Sequence, residues 1–454
     1  MASVILPSKA DLTQFYVGKD IADVPKPAAV LDVAIIRRHC ERMKRTIEAL
    51  GVGFRAHVKS HKTAELTAMQ VDSSNAEAKF IVSTLLELET LMPLLQDLKQ
   101  RHRINVLYGI PLIPSHVTRL AQLAAQLGED SVSVMIDHPD QVPYLEKFSA
   151  AAQFPACLFV KVDTGYHRAG LPPVSLNKNG LLEKLARAEG AGHARLLGLY
   201  SHSSLSYGAT TAEEAMAYLI EEIRGCKDAL NRWVALLPKD RDLVISVGAT
   251  PQVASSNNLV QESGLSSPEA KELMALLRTP CAEQSEARVK IELHAGNYPV
   301  LDMQQVSTHA RIGAGTLEDE IALSVVAEVC SVYNDGEREK PEALIAAGTL
   351  ALAREPCASY PGWGVLSSWR QEADLAARRL TVERISQEHG IVTWDSGDQQ
   401  PLPLRIGQVV KVFPNHACVT GAFYGWYFVV DSDSDPGASQ IVDIWVRGRA
   451  PGAV

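Results

Sequence analysis

The sequence predicts an α/β fold: a (β/α)8 barrel of the TIM type followed by a mainly antiparallel β-domain. Three observations predict it. Eight short apolar runs recur through the first 300 residues, most intervals between them hold amphipathic helical segments, and beyond about residue 300 the texture turns β-rich. Buried strands alternating with helices are parallel strands joined by crossovers, and eight such units are the number that closes a barrel. A chain of 454 residues also exceeds one ordinary core, so two domains are expected from length alone.

The first helix is expected over 33–50, where Ile36, Cys40, Met43, Ile47 and Leu50 recur at spacings of four and three and Gly51 offers a cap. Strands are expected at 53–58 (GFRAHV), 80–84 (FIVST), 104–109 (INVLYG), 132–137 (VSVMID), 158–163 (LFVKVD), 196–202 (LLGLYSH), 243–248 (LVISVG) and 290–296 (KIELHAG). Helical segments such as 86–100 and 117–128 fill the intervals, and 251–289 is long enough to carry an extra excursion. Past residue 300, IALSVVAEVC, EALIAAG, QVVKVFP, WYFVVD and IVDIWVRG read as strands, with turns suited to Asp335–Gly336 and Gly397–Asp398. The expected division is an N-terminal segment 1–26, the barrel over 27–300 and the β-domain over 301–454. The N-terminal segment, with AVLDV just beyond it, is a candidate to pair with the β-domain.

Composition removes several function classes. With 46% hydrophobic and 21% charged residues the chain reads as soluble and globular, and its net charge of -9 argues against nucleic acid as a partner. No apolar run reaches the roughly 18–20 residues that span a bilayer. The start, MASVILPSKADLTQF, has no basic region and no long apolar region, so it does not read as a signal peptide, and the closing APGAV carries no address motif. Seven cysteines without regular spacing do not form a disulfide framework, and a cytoplasmic setting is expected.

Nearly every expected strand ends in a reactive or turn-forming cluster, and in a barrel those ends meet at one mouth. The first cluster, Arg55 to Lys62, puts Lys59 just beyond a buried strand among other cations; partial desolvation and like charge both favour the neutral amine that forms imines. Read alone, it is equally a solvated basic loop. The cluster at 246–251 lies in the loop after the seventh strand, where barrels often bind phosphate. Gly248 lets backbone approach an anion, Ser246 and Thr250 offer hydroxyls, and Asn297 and Tyr298 after the eighth strand are placed to close the cradle. A reactive lysine opposite a phosphate cup suggests pyridoxal phosphate. The loop from Asp163 to Gly170 brings Arg168, suited to the cofactor's pyridine nitrogen, or is a glycine-rich turn with a surface arginine. Far downstream, His416-Ala417-Cys418 offers imidazole and thiolate, a zinc pair or a buried structural cysteine beside an unrelated histidine.

The ordered set HVKSHK, DTGYHRAG, YSHSSLSY, SVGATP, ELHAGNYPVLDMQQ, SQEHG and PNHAC resembles the D-serine dehydratase / D-threonine aldolase group, pyridoxal phosphate enzymes of the alanine-racemase fold type (fold type III), across about 27–450. The resemblance implies a barrel with a C-terminal β-domain, a homodimer with sites near the interface, and Lys59 as the Schiff-base lysine. It also implies Arg168 near the pyridine ring, His57, Tyr200, His202 and Tyr207 lining the cofactor, and Ser246, Gly248 and Thr250 in the phosphate loop. Asn297, Tyr298 and Asp302 fall in the last barrel loop. Dehydratases of the group carry His-x-Cys and use zinc, whereas its aldolases typically carry His-x-Asp and harder ions. His416 and Cys418 therefore imply zinc, which soft thiolate ligation favours. Three features depart from the common pattern: Ala56 replaces proline, Ser60 replaces threonine, and Ala346-Ala347-Gly348 replaces Asp-Ala-Gly.

The expected reaction is β-elimination from a D-β-hydroxy amino acid, D-serine first, to pyruvate and ammonia. The alternatives are a D-threonine or 3-hydroxyaspartate aldolase or dehydratase on the same scaffold. Outside enzymes, the alternative is a pyridoxal phosphate carrier, against which the second domain and the metal pair both count.

Overall fold

The structure is a computed structural model that describes residues 7–72, 74–261, 266–278, 289–370 and 378–448. It divides into two compact units. One holds Glu41–Gly296 and Thr308–Ile312; the other holds the residues up to Cys40, Asn297–Ser307 and those from Gly313 onward. The division thus falls at residues 40 and 296, where the sequence suggested 27 and 300.

The first unit is a closed barrel of eight strands, each hydrogen-bonded to its neighbours in parallel. In chain order after β1 (Ala28–Asp32), which belongs to the other unit, these are β2 (Gly53–His57), β3 (Glu77–Val82), β4 (Arg103–Pro111), β5 (Val132–Ile136), β6 (Ala156–Lys161), β7 (Ala194–Tyr200), β8 (Leu243–Val247) and β9 (Val289–Ala295). β2 and β9 close the ring with Arg55 beside His294. β5 and β6 are buried at every position, as strands covered on both faces must be. The helices between them are amphipathic: Val117–Leu127 buries Val117, Leu120, Ala121, Leu123, Ala124 and Leu127 along one face. Thr84 and Thr211 cap the helices Leu85–Leu98 and Ala212–Trp233, each hydroxyl accepting the N–H three residues on. Gly198 takes φ +157° where β7 crowds β8; a Cβ there would fall 1.9 Å from the Val244 carbonyl oxygen. Of the 251–289 excursion, the helices Thr250–Ser256 and Pro268–Arg278 are described, while 262–265 and 279–288 lie outside the described residues.

The second unit is built on a nine-stranded sheet. Its strands are β1, β10 (Leu323–Tyr333), β11 (Glu342–Ile345), β12 (Gly364–Leu366), β13 (Leu380–Ile385), β14 (Gly390–Trp394), β15 (Val409–Pro414), β16 (Trp426–Val430) and β17 (Asp443–Val446). They run in the order β11-β14-β13-β12-β15-β10-β1-β16-β17, all antiparallel except β1 with β16. Both faces are apolar. On β10, Val325, Ala327 and Val329 pack with Ile345, Val382, Val392 and Val412 on one side. Val326 packs with Val30, Phe428 and Ile444 on the other. Chain segments near the N-terminus join this unit too: Gly18 and Ile21 donate to the carbonyls of Ile441 and Ser439. No helix among the described residues is long and apolar enough to cross a membrane.

Candidate active site

β2 delivers His57 at its last position, and the chain then turns through the short 3-10 helix Val58–Ser60 that carries Lys59. His57 pins that turn: its Nδ1 accepts the backbone N–H of Lys59 at 3.3 Å. The ring hydrogen is therefore on Nε2, 3.5 Å from Ser83 Oγ. Lys62, three residues on, is neutralised by a 2.8 Å ion pair with the buried Glu87. Lys59 instead keeps company with imidazoles, and its charge bears on His57, His202 and His294. Burial first, and then these cationic neighbours, hold all three histidines well below the ordinary imidazole range, so they are neutral at pH 7.

Beneath them lies a buried ionic network. Arg55, 2% exposed, is held by Glu292 through Nε–Oε1 at 2.7 Å and Nη2–Oε2 at 3.4 Å. Its remaining donors reach Asn105 Oδ1 (2.6 Å) and the Phe80 and Asn105 carbonyls. Lys79 approaches the same carboxylate at 3.3 Å. Burial alone would raise the Glu292 carboxyl, but Arg55 and Lys79 overcome it and hold it at about 2. Ser246 Oγ lies 3.0 Å from Glu292 Oε1 and 3.1 Å from His294 Nδ1. Tyr200, at the end of β7, stacks flat on His294, with ring centroids 4.4 Å apart and an interplanar angle of 4°. The Ser246 hydroxyl is thus engaged inside the barrel network.

The loop after β8 is shaped by its glycine. Gly248 sits at φ +134°, and a Cβ there would meet the His294 carbonyl oxygen at 2.6 Å and Val253 Cγ2 at 2.9 Å. Its carbonyl accepts from His202 Nδ1 at 2.7 Å, which fixes that ring as the Nδ1–H tautomer. Its N–H donates to Glu222 Oε2 at 2.9 Å. Gly248 is thus required by close packing against His294 and Val253, and its own N–H is engaged. Thr250, buried, opens the helix that follows.

Glu222 reaches this loop from the helix Ala212–Trp233. Burial raises its carboxyl to about 8, against the pull of the Gly248 N–H, Lys161, the Ser203 N–H and Arg168. Lys161, at the end of β6, lies 4.8 Å over the Tyr200 ring, and burial together with Arg168 lowers it to about 8. A carboxyl whose folded pKa exceeds its unfolded value adds stability below the unfolded pKa and loses it as pH rises through the folded one. Against Glu222→Gln, the wild type is therefore expected to lose stability between about pH 5 and pH 8. At ~1.4 kcal/mol per pKa unit, the upper bound is on the order of 4 kcal/mol. Urea unfolding of both proteins across that range measures it; parallel stability curves would contradict the assignment.

The 163–170 loop folds around Asp163, which accepts the N–H groups of Gly165 and His167, each at 3.0 Å. Arg168 lies in its exposed part, 5.2 Å over the Tyr166 ring, yet its charge is felt by Lys161 and His202. Tyr207 is half-buried in the turn Leu205–Gly208 beyond β7.

In the other unit, Asn297, Tyr298 and Asp302 are all buried. Asp302 accepts from Asn297 Nδ2, from the Gln305 N–H at 2.9 Å and from the Ala417 N–H at 2.8 Å. It thus fastens the residue between His416 and Cys418. Burial alone would lower the His416 imidazole, but Cys418, Asp302 and Glu355 around it hold it up at about 9. Its Nδ1 is buried without a hydrogen-bond partner among the described residues, with Glu355 Oε2 3.6 Å away. An orphaned imidazole nitrogen beside a thiol, in surroundings that attract positive charge, fits a metal ion. Among the described residues no three His, Cys, Asp or Glu side chains form a metal-holding group.

Comparison with known proteins follows this division. Residues 31–258 match the family described as "Alanine racemase, N-terminal domain", and 322–430 match "Putative serine dehydratase domain". A D-serine dehydratase of Schizosaccharomyces pombe is 34% identical over 442 residues, covering 97% of this chain and 95% of that protein. The chain belongs to the D-serine dehydratase family, on the alanine-racemase fold. That family is one of pyridoxal phosphate-dependent lyases. A D-serine dehydratase of Saccharomyces cerevisiae is 29% identical over 96% of this chain and 99% of its own length. Among solved structures, D-threo-3-hydroxyaspartate dehydratase from Delftia sp. HT23 matches with TM-score 0.70 and 25% identity, covering 94% of this chain and 99% of that one. A cysteine-to-alanine variant of that enzyme, described as its metal-free form, matches with the same TM-score.

Sequence reasoning missed Arg55, Glu222, Glu292 and His294 as parts of this site. A signal was present for three of them: charged or titratable residues at inward positions of strands that are otherwise apolar.

Proposed function

We propose that this chain is a pyridoxal phosphate-dependent lyase that removes the β-hydroxyl of a D-β-hydroxy amino acid, with D-serine as substrate and pyruvate and ammonia as products. The observation that carries this reading is the setting of Lys59, an amine on the turn after a buried barrel strand, surrounded by histidines that are neutral at pH 7. One feature of the surroundings fits the cofactor: His294 carries a buried nitrogen without a hydrogen-bond partner among the described residues. Pyridoxal phosphate, when bound, supplies an electron sink for the charge left as the α-proton departs.

Lys59 would anchor the cofactor and, once the substrate's amino group displaces it, take the α-proton on Nζ. Arg168 would serve the pyridine nitrogen, Tyr200, His202 and Tyr207 the ring, and Gly248 and Thr250 the phosphate. Asn297 and Tyr298 belong to the same reading as lining residues, while Asp302 would steady the metal pair through Ala417. His416 and Cys418 would hold zinc, whose chemistry is Lewis-acid help to a departing hydroxide. The reading includes a homodimer, as the family resemblance implies, and a cytoplasmic setting, as the cysteine usage suggests.

A second reading, dehydration of D-threo-3-hydroxyaspartate, draws on the match to the Delftia enzyme. The test is purified protein offered D-serine, D-threonine and D-threo-3-hydroxyaspartate, with and without added zinc. Pyruvate released fastest from D-serine is the expected result. Faster turnover of 3-hydroxyaspartate supports the second reading, and glycine with acetaldehyde from D-threonine as the fastest products would make the chain an aldolase.

A further inference from the structure

We propose that His294 is a further binding residue of the pyridoxal phosphate pocket, presenting a bare Nε2 as hydrogen-bond acceptor to the phenolic O–H on the cofactor's ring. The proposal rests on the reading of this pocket as a pyridoxal phosphate site. Glu292, gripped by Arg55 and Lys79, is a carboxylate and can only accept. Ser246 has one hydroxyl hydrogen and stands between that carboxylate (3.0 Å) and His294 Nδ1 (3.1 Å). Turning the hydrogen toward the imidazole would leave two oxygen acceptors, one of them charged, facing each other at 3.0 Å. The hydroxyl therefore donates to Glu292 and accepts from His294, so Nδ1 carries the hydrogen.

Because the ring is neutral among Arg55, Lys59 and Lys161, its other nitrogen is a lone pair. His294 is 1% exposed, and Nε2 has no hydrogen-bond partner among the described residues. A buried acceptor left unpaired costs on the order of 1–3 kcal/mol, and the ordered chain Arg55–Glu292–Ser246 spends its hydrogen bonds keeping that acceptor bare. The arrangement is intelligible when a donor arrives from outside the chain. His294 lies on the inward face of β9, two residues toward the mouth from Glu292, and Tyr200 covers one face of its ring. The group tied to neighbouring Lys59 is the cofactor; with Arg168 serving the pyridine nitrogen as donor, the donor its ring offers is the phenolic O–H.

The test uses the full chain stripped of cofactor and titrated with pyridoxal phosphate and with 4′-deoxypyridoxine phosphate, which lacks the aldehyde and so binds without an imine. His294→Phe keeps a flat ring against Tyr200 and removes the acceptor; it is expected to weaken deoxypyridoxine phosphate about tenfold or more. His294→Gln, with an amide oxygen, is expected to recover part of that loss. In the wild type, ¹⁵N NMR of labelled histidine should show His294 as a single Nδ1–H tautomer whose Nε2 signal moves when the analogue binds, a readout that does not depend on a variant folding. An unchanged dissociation constant in His294→Phe, or an Nε2 signal protonated or unmoved by the analogue, overturns the proposal. A wild type that binds neither ligand would instead remove the pyridoxal phosphate reading on which it stands.

Discussion

Lys59→Ala is expected to abolish both the imine absorbance of the cofactor-loaded protein and its lyase activity. Two functions leave with one side chain. The amine that would hold the cofactor is gone, and so is the base that would take the α-proton. A positioned general base alone is worth about 10²–10⁴-fold, and loss of the covalent tether adds to that, so turnover should fall by at least about 10³-fold. The fold should survive, because Lys59 is itself half-buried on a turn whose geometry is set by backbone and by His57 Nδ1 accepting its N–H. Circular dichroism and unfolding curves close to wild type would confirm that the loss is chemical. Residual cofactor binding through the phosphate loop is also expected, because Gly248 and Thr250 are untouched. Full turnover by the variant would remove Lys59 from the reaction.

The sequence made the barrel readable because its strands are largely buried apolar runs, β5 and β6 at every position, and such runs stand out from the helices between them. Their observed bounds differ from the expected ones by a few residues, since the ends depend on hydrogen bonds that composition does not report. The sheet of the second unit was less legible. β12 has three residues, too few for any period, and β13 runs from buried to half-exposed with a register shift after Val382. β1 pairs with β10 and β16, from nearly 300 to nearly 400 residues away; AVLDV reads as a candidate for the β-domain, but nothing local names its two partner strands. The same limit governs the site. Lys59, His416 and Cys418 were legible as short motifs. The network Arg55–Glu292–Ser246–His294 joins three strands, and only the closed barrel brings its members within hydrogen-bond reach. Even so, GFRAH and KIELHAG each carry charge into a buried strand, and opposite charges in two buried strands are a reason to expect them paired.

Removing metal is expected to cut dehydratase turnover sharply while leaving the imine absorbance of Lys59 largely intact. Hydroxide is a poor leaving group, and Lewis-acid stabilisation of its departure is worth several kcal/mol, on the order of 10²–10⁴-fold in rate. The proposed anchor lies on β2's turn and the proposed phosphate loop after β8, whereas the proposed metal donors lie on the segment after β15, so the two losses are separable in principle. Chelation followed by measurement of both turnover and absorbance makes the separation. Zinc should restore the rate and magnesium should not, because a thiolate and an imidazole prefer the softer ion. Cys418→Ala should behave like the chelated wild type. Cys418→Asp sharpens the point, since it keeps an anionic donor while exchanging sulfur for oxygen: any activity it retains is expected to favour harder ions such as manganese. Asp302 enters here as well, because its carboxylate holds the Ala417 N–H whichever residue stands at 418. A turnover rate untouched by thorough chelation would take zinc out of the mechanism, and leave His416 and Cys418 a structural pair after all.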